Sequence, residues 1–212
     1  MPHRTRVKIC GIRTLDAALA AIDAGADALG FVFVPRTSRH IAAEDAWRIV
    51  AALPPFVTSV GLFRDCALDD FCDIEETCPT TCAQLHGDEP EDLVRQCGPG
   101  VIKAVRFTPA TISADLARWS AVEEVDAILI DAGTGGTGER FDWSSLAPHA
   151  AGVGKPLVIA GGLDAQNVGE CIRVLRPYAV DVSSGVERAR GEKDPALIRA
   201  FCEAVRLADA DR

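Results

Sequence analysis

The sequence predicts one (β/α)8 TIM barrel spanning residues 1–212, and three observations carry that prediction. Apolar runs of strand length alternate with helix-like segments eight times, at a spacing of roughly 25 residues that suits a compact barrel. The runs are continuous rather than strictly alternating, as parallel strands covered by helices should be. The polar residues that interrupt them collect at the C-terminal strand ends, where barrels of this kind place their sites. No low-complexity linker divides the chain.

The first strand is Val7-Lys8-Ile9-Cys10-Gly11-Ile12. Residues two apart share a face, so Val7 and Ile9 look one way and Lys8 and Cys10 the other. If the apolar face packs on helices, the ammonium and the thiol point into the enclosed space. That pair has two readings. A buried ammonium favours a neighbouring thiolate, which makes Cys10 a base or nucleophile. A small buried cysteine also serves as core filler. Thr14 caps the next helix, whose Leu15, Ala18, Leu19 and Ile22 recur at helical spacing and which Gly25 stops.

Residues 28–33 form the second strand, followed by the polar loop 35–39 and a helix over 42–53 closed by Pro54-Pro55. Strand three is 57–63, followed by a helix over 68–78 or a stretch that is partly loop. Strand four is 82–86 and its helix 90–97. Strand five is 101–107 and its helix 110–119. Strand six, 127–131, ends in Asp131 and leads into a glycine-rich loop, 133–138, and a short helix starting near Asp142. Strand seven, 156–160, ends in Gly161-Gly162, and a helix starting at Asp164 or Gln166 runs to Leu175. Strand eight, 178–182, ends in Ser183-Ser184-Gly185, before a last helix from about Asp194 to Leu207.

A hydrophobic content of 48% and a charged content of 25% are ordinary for a soluble globular chain. The net charge of −9 argues against a nucleic-acid partner, which needs a positive surface. It leaves room for a small anion held by local backbone amides. No apolar run reaches membrane-spanning length, and no signal-like core follows the first residues, so we read the protein as cytoplasmic with no membrane partner. Cys66, Cys72, Cys78 and Cys82 cluster, but gaps of five, five and three residues match no common zinc pattern, and no metal is expected.

At the C-terminal strand ends stand Cys10, Arg39, Gln84, His86 and Asp131, with Gln84 and His86 on one strand face. Asp131 is either an acid–base group or a loop cap. Arg39 is a solvated loop charge unless an anionic substrate makes it a carboxylate clamp. His86 either contacts substrate or satisfies a polar network. The loops after strands seven and eight, Gly161-Gly162 and Ser183-Ser184-Gly185, suit a phosphate held by backbone amides, or are turns only. Strand eight neighbours strand one in a closed barrel, so Asp181 pairs with Lys8 if it faces inward.

The motifs Lys8-Ile9-Cys10-Gly11-Ile12, Gly30-Phe31-Val32-Phe33, Ser38-Arg39 and Gln84-Leu85-His86-Gly87 resemble the phosphoribosylanthranilate isomerase family of tryptophan biosynthesis. Gly135-Gly136-Thr137-Gly138, Phe141-Asp142-Trp143, Gly161-Gly162-Leu163 and Asp181-Val182-Ser183-Ser184-Gly185-Val186 extend the resemblance, which runs from Val7 to about Phe201. It implies an Amadori rearrangement of N-(5-phosphoribosyl)anthranilate to 1-(2-carboxyphenylamino)-1-deoxyribulose 5-phosphate. By that resemblance Cys10 matches the general base, Asp131 the general acid and Arg39 the arginine on the anthranilate carboxylate. The Gly161-Gly162 and Ser183-Ser184-Gly185 loops match the phosphate grip. It also implies no cofactor, a small phosphosugar substrate, and a monomer or a homodimer. The chain departs from the family at Arg13, where Thr is usual, and at Glu139, where Lys is frequent. Its loop between Asp131 and Gly135 is also short beside that of some members. Two rival readings remain. An indole-glycerol-phosphate synthase or pentose-phosphate epimerase would leave Cys10 and Asp131 idle, or would need more strand-end histidines and carboxylates. A non-catalytic phosphosugar-binding barrel explains neither residue.

Overall fold

The computed structural model describes residues 4–133 and 142–211. Eight parallel strands close in sequence order: β1 (Arg6–Cys10), β2 (Ala28–Val32), β3 (Thr58–Phe63), β4 (Cys82–Leu85), β5 (Val101–Arg106), β6 (Val125–Asp131), β7 (Leu157–Ile159) and β8 (Ala179–Val182). The helices α1 (Leu15–Asp23), α2 (Ala43–Val50), α3 (Leu68–Thr77), α4 (Glu91–Gln96), α5 (Ile112–Ser120), α6 (Trp143–Ala150), α7 (Val168–Leu175) and α8 (Pro195–Ala210) follow them in turn. The predicted (β/α)8 barrel is the observed fold.

The two faces of each strand separate two cores. Val7, Ile9, Leu29, Ile128 and Ile130 look outward and belong to the large cluster under the helices. Ala104, Ala127, Leu129, Val158, Ala160 and Ala179 form a second cluster, with Ile102 and Tyr178 packed against it. The strand register places that set on the same face as Gln84 and Asp131. Its alanines are small enough for the sheet to close on itself. Truncating a fully buried outer residue such as Ile128 to alanine costs about 2–5 kcal/mol.

Local chemistry sets the ends of the elements. Thr14 caps α1 by accepting from the Ala17 N–H, and Gly25 ends it at a φ of +98°. Asp194 caps α8 by accepting from the Ala196 N–H at 2.7 Å, with Pro195 as its first residue. Helix α7 starts at Val168, later than Asp164 or Gln166. The Asp164 carboxylate instead accepts from the N–H groups of Gln166 (2.8 Å) and Asn167 (3.0 Å), closing a turn before the helix. A two-stranded hairpin, β9 (Glu187–Ala189) with β10 (Glu192–Lys193), sits between β8 and α8 where no regular structure is predicted.

One buried ion pair stiffens the loops beneath the barrel mouth. Lys103 Nζ lies 2.8 Å from Glu89 Oε2 and 2.8 Å from the Gly87 carbonyl. Glu89 Oε1 accepts from the N–H groups of Asp65 (3.1 Å) and Gly87 (2.9 Å). The loops after β3 and β4 are thereby tied together next to His86.

Candidate active site

A cavity of about 460 Å³ opens at the C-terminal ends of the strands, and every site residue predicted from the sequence lines it except Gly185. Cys10 lies at its β1 side. Its inward direction follows from the period of two, and Gly30 on β2 leaves it room: a Cβ there would lie 2.8 Å from the Cys10 sulfur and 3.2 Å from Lys8 Nζ. Lys8 stands opposite Asp181 in the register and pairs with it at 2.8 Å, both buried. Burial pushes the Cys10 thiol up, Lys8 and Lys193 pull it down, and Asp181 raises it again. The net direction is upward. Lys8 does favour the thiolate, as its place on the strand suggests, but burial outweighs it.

Arg39 reaches the same side from the loop after β2. Its Nε and Nη2 donate to Glu187 Oε1 (2.8 Å) and Oε2 (2.9 Å), a two-pronged bond. Glu187 also accepts from Lys193 Nζ at 2.8 Å. Burial alone would raise the Glu187 carboxyl, but its bonds to Arg39 and Lys193 together hold it at about 2. Lys193 also donates to the Ser183 carbonyl (2.9 Å), and the Ser183 hydroxyl donates to the Cys10 carbonyl (3.0 Å). The β9–β10 hairpin thus fastens Arg39, β8 and the end of β1 into one charged frame. Arg13 donates to the Ser38 carbonyl at 3.2 Å, beside Arg39.

The other side of the mouth is built on β4 and β6. Gln84 forms the floor, fully buried. Its Nε2 lies 2.7 Å from His86 Nδ1, and His86 Nε2 lies 3.3 Å from Asp131 Oδ2. Asp131 Oδ1 accepts from the Gly133 N–H at 3.2 Å. His86 thus bonds Gln84, lies within ion-pair distance of Asp131 and lines the cavity.

The β7 and β8 loops interlock. Gly161 and Gly162 have φ values of +87° and +62°. A Cβ on Gly161 would meet the Ala132 N–H nitrogen at 2.6 Å, and one on Gly185 would meet the Leu163 carbonyl oxygen at 2.0 Å. Among the described residues the N–H groups of Gly161, Gly162, Ser184 and Gly185 make no backbone hydrogen bond, which leaves donors for an anion. Asn167, buried, donates to the Gly162 carbonyl at 2.9 Å and shapes this loop.

Sequence reasoning missed Glu187, Lys193 and Asn167, which brace the site without lining the cavity, and Arg64 and Arg190, which line it. Asn167 had a signal, a polar residue before an apolar helical run after a double glycine. Glu187 and Lys193 had none at short range, because Arg39 and Glu187 lie 148 positions apart. The loop motif Gly135–Gly138, Glu139 and Phe141 lie outside the described residues. Cys66, Cys72, Cys78 and Cys82 are free thiols, and among the described residues no group of His, Cys, Asp or Glu is placed to hold a metal ion.

A thiol and a carboxyl at one barrel mouth, above glycine loops with open N–H groups, mark the class as a (β/α)8 barrel whose mouth is suited to acid–base chemistry on a phosphorylated ligand. The family model described as N-(5'-phosphoribosyl)anthranilate (PRA) isomerase matches residues 7–204. An N-(5'-phosphoribosyl)anthranilate isomerase from Pseudomonas putida F1 is 47% identical over 209 residues, covering 96% of this chain and 98% of its own. A crystal structure of phosphoribosyl anthranilate isomerase in complex with reduced 1-(o-carboxyphenylamino)-1-deoxyribulose 5-phosphate superposes with a TM-score of 0.83. It is 41% identical and covers 95% of this chain and 98% of its own. A structure described as monomers of the dimeric enzyme from Thermotoga maritima superposes equally, with a TM-score of 0.83, 39% identity and the same coverage of both chains. The chain belongs to the N-(5'-phosphoribosyl)anthranilate isomerase family. It is an isomerase of the aldose–ketose type.

Proposed function

We propose that the chain converts N-(5-phosphoribosyl)anthranilate to 1-(2-carboxyphenylamino)-1-deoxyribulose 5-phosphate in tryptophan biosynthesis, with Asp131 as general acid and Cys10 as general base. The observation that carries this reading is that both groups line one cavity from opposite sides of the mouth. Asp131 protonates the furanose ring oxygen, the C1–O bond breaks, and the nitrogen lone pair makes a C1=N iminium. Cys10 as thiolate takes the C2 proton, and the released pair forms the C1=C2 enolamine and neutralises the nitrogen. The C2 hydroxyl then gives up its proton while C1 gains one, leaving the ketone. The iminium is a cation formed next to a thiol that burial holds up, and a nearby positive charge is what favours the thiolate. The substrate supplies its own electron sink, so the route calls for no metal or organic cofactor.

Arg39 meets the anthranilate carboxylate with the edge of its guanidinium that Glu187 leaves open. Gly161, Gly162, Ser184 and Gly185 take the phosphate, with Ser183 tied to β1 beside them. His86 and Gln84 border the reacting end of the cavity. Residues 1–212 act as one domain, as a monomer or a homodimer, in the cytoplasm. Among the described residues no helix is long and apolar enough to cross a membrane.

Turnover of freshly made substrate, followed by loss of its fluorescence with chelator present, tests the assignment. Cys10→Ala and Asp131→Asn are each expected to lose roughly 100- to 10,000-fold in kcat while still binding a product analogue. Analogue binding by the wild type without turnover would instead make the chain a binding barrel. Near wild-type rates in both variants would overturn the assigned residues.

A further inference from the structure

The chain carries 22 Lys and Arg against 31 Asp and Glu. The charges lining the cavity have the opposite balance: Arg36, Arg39, Arg64 and Arg190 against Asp131 and Asp181. Most cations on the Cys10 side are already neutralised. Asp181 takes Lys8, and Glu187 takes both Arg39 and Lys193, each at 2.8 Å. Arg36 and Arg190 stand apart. Both are exposed, and among the described residues neither side chain has a hydrogen-bond or ion-pair partner.

The hairpin that fixes Arg39 also places Arg190. Glu187, in β9, holds the Arg39 Nε and Nη2. Arg188 pairs across the hairpin with Glu192 at 3.0 Å, whereas Arg190, at the tip, lines the cavity. The tip is seated on the loop after β2. Gly191 has a φ of +85°, and a Cβ there would lie 2.3 Å from the Ser38 carbonyl oxygen. A side chain at 191 would keep the hairpin from coming this close to the residue before Arg39. The charges on this side can be counted. Lys8, Arg39 and Lys193 are balanced by Asp181, Glu187 and the Cys10 thiolate that the reaction needs. A substrate carboxylate set against Arg39 then finds donors but no net positive charge, and a carboxylate buried without one is costly.

We propose that Arg190 is the second cation of the anthranilate-carboxylate subsite, a specificity-determining residue that meets the carboxylate together with Arg39. Arg39 orients the carboxylate with the edge that Glu187 leaves open, and Arg190 supplies the missing charge from the hairpin tip. Arg36 lines the same cavity without a partner and serves as the control for charge acting at a distance. The inference rests on Arg39 as the carboxylate partner.

The test is competitive inhibition of the full chain by two product analogues. One is reduced 1-(2-carboxyphenylamino)-1-deoxyribulose 5-phosphate, and the other is its counterpart with an unsubstituted phenyl ring. Both carry the phosphate, and only the first carries the carboxylate. Arg190→Gln should weaken the first about tenfold, the size of one charge-assisted hydrogen bond, and leave the second within about twofold. With substrate, the same variant should raise KM more than it lowers kcat. Arg190→Lys should recover only part of the loss, because an ammonium is a point charge without the planar fork. Arg36→Gln should weaken both analogues alike, by less than about threefold, as a charge acting at a distance does. Equal weakening of both analogues by Arg190→Gln, or of neither, would overturn the proposal. So would a carboxylate-selective loss at Arg36 in place of Arg190. Arg39→Gln separates the proposal from the reading beneath it. If Arg39→Gln also fails to distinguish the analogues, the carboxylate subsite is misplaced and both fall. If it weakens only the carboxylate analogue while Arg190→Gln does not, only the role of Arg190 falls.

Discussion

The two sides of the barrel mouth are built from opposite materials. Around Cys10 stand Lys8, Asp181, Lys193, Glu187 and Arg39, a buried frame of full charges. Asp131 meets an imidazole, backed by a carboxamide, and a backbone N–H, and Arg64 lines the same cavity. A thiol in a buried site needs cations near it to give up its proton. The contrast also divides what each side does for the fold: the charged side contributes stability and rate together, the neutral side mostly rate.

The strongest way to break this contrast is Lys8→Met. It leaves Asp181 as an unpaired carboxylate inside the barrel, and thermal or denaturant unfolding should show a loss of about 3–5 kcal/mol. Lys8→Met with Asp181→Leu should recover most of that stability, because an apolar pair replaces an ion pair of similar volume. The rate should stay low in the double variant, since Lys8, the stronger of the two cations that draw the Cys10 proton, is gone. A double variant with wild-type turnover would show that the frame around Cys10 is structural only.

Glu187→Gln comes next. The native carboxyl sits at about 2, below the unfolded value near 4.3. As pH falls the unfolded state takes the proton first, so the stabilisation is complete above about pH 4.3 and is lost progressively down to about pH 2. After allowing for screening by solvent this amounts to about 2 kcal/mol. Acid titration of unfolding stability should show that limb in the wild type and a flatter one in Glu187→Gln. The same variant frees Arg39 and Lys193 from their shared partner and should raise KM more than it lowers kcat. An unchanged acid limb would mean the Arg39–Glu187–Lys193 cluster contributes little.

The smallest expected change in stability sharpens the contrast. Gln84→Met removes one neutral hydrogen bond and one unpaired oxygen together, and unfolding should shift by about 1 kcal/mol or less. A loss as large as that of Lys8→Met would contradict the division between the two sides.

Much of the architecture was legible in the chain because it depends on local rules. The alternation in Val7-Lys8-Ile9-Cys10 put the ammonium and thiol inside, and closure of the sheet put Asp181 opposite Lys8. Thr14, Gly25 and Asp194 marked helix ends through bonds spanning only a few residues. The start of α7 was misplaced because Asp164 can cap either a helix or a turn, and only the Asn167 bond to Gly162 selects the turn.

What the sequence by itself determined is the barrel, the strand ends and the identity of the groups standing there, since these follow from periodicities of two and 3.6. Only the tertiary structure decided how those groups act on one another. The direction of the Cys10 thiol depends on how deeply it is buried against how close Lys8 and Lys193 come, and no spacing encodes that balance. Arg39 meets Glu187, and His86 meets Asp131, only because the sheet closes and brings distant strand ends together. Charge and hydrogen bonding act over a few ångströms of space, and the chain measures distance in residues.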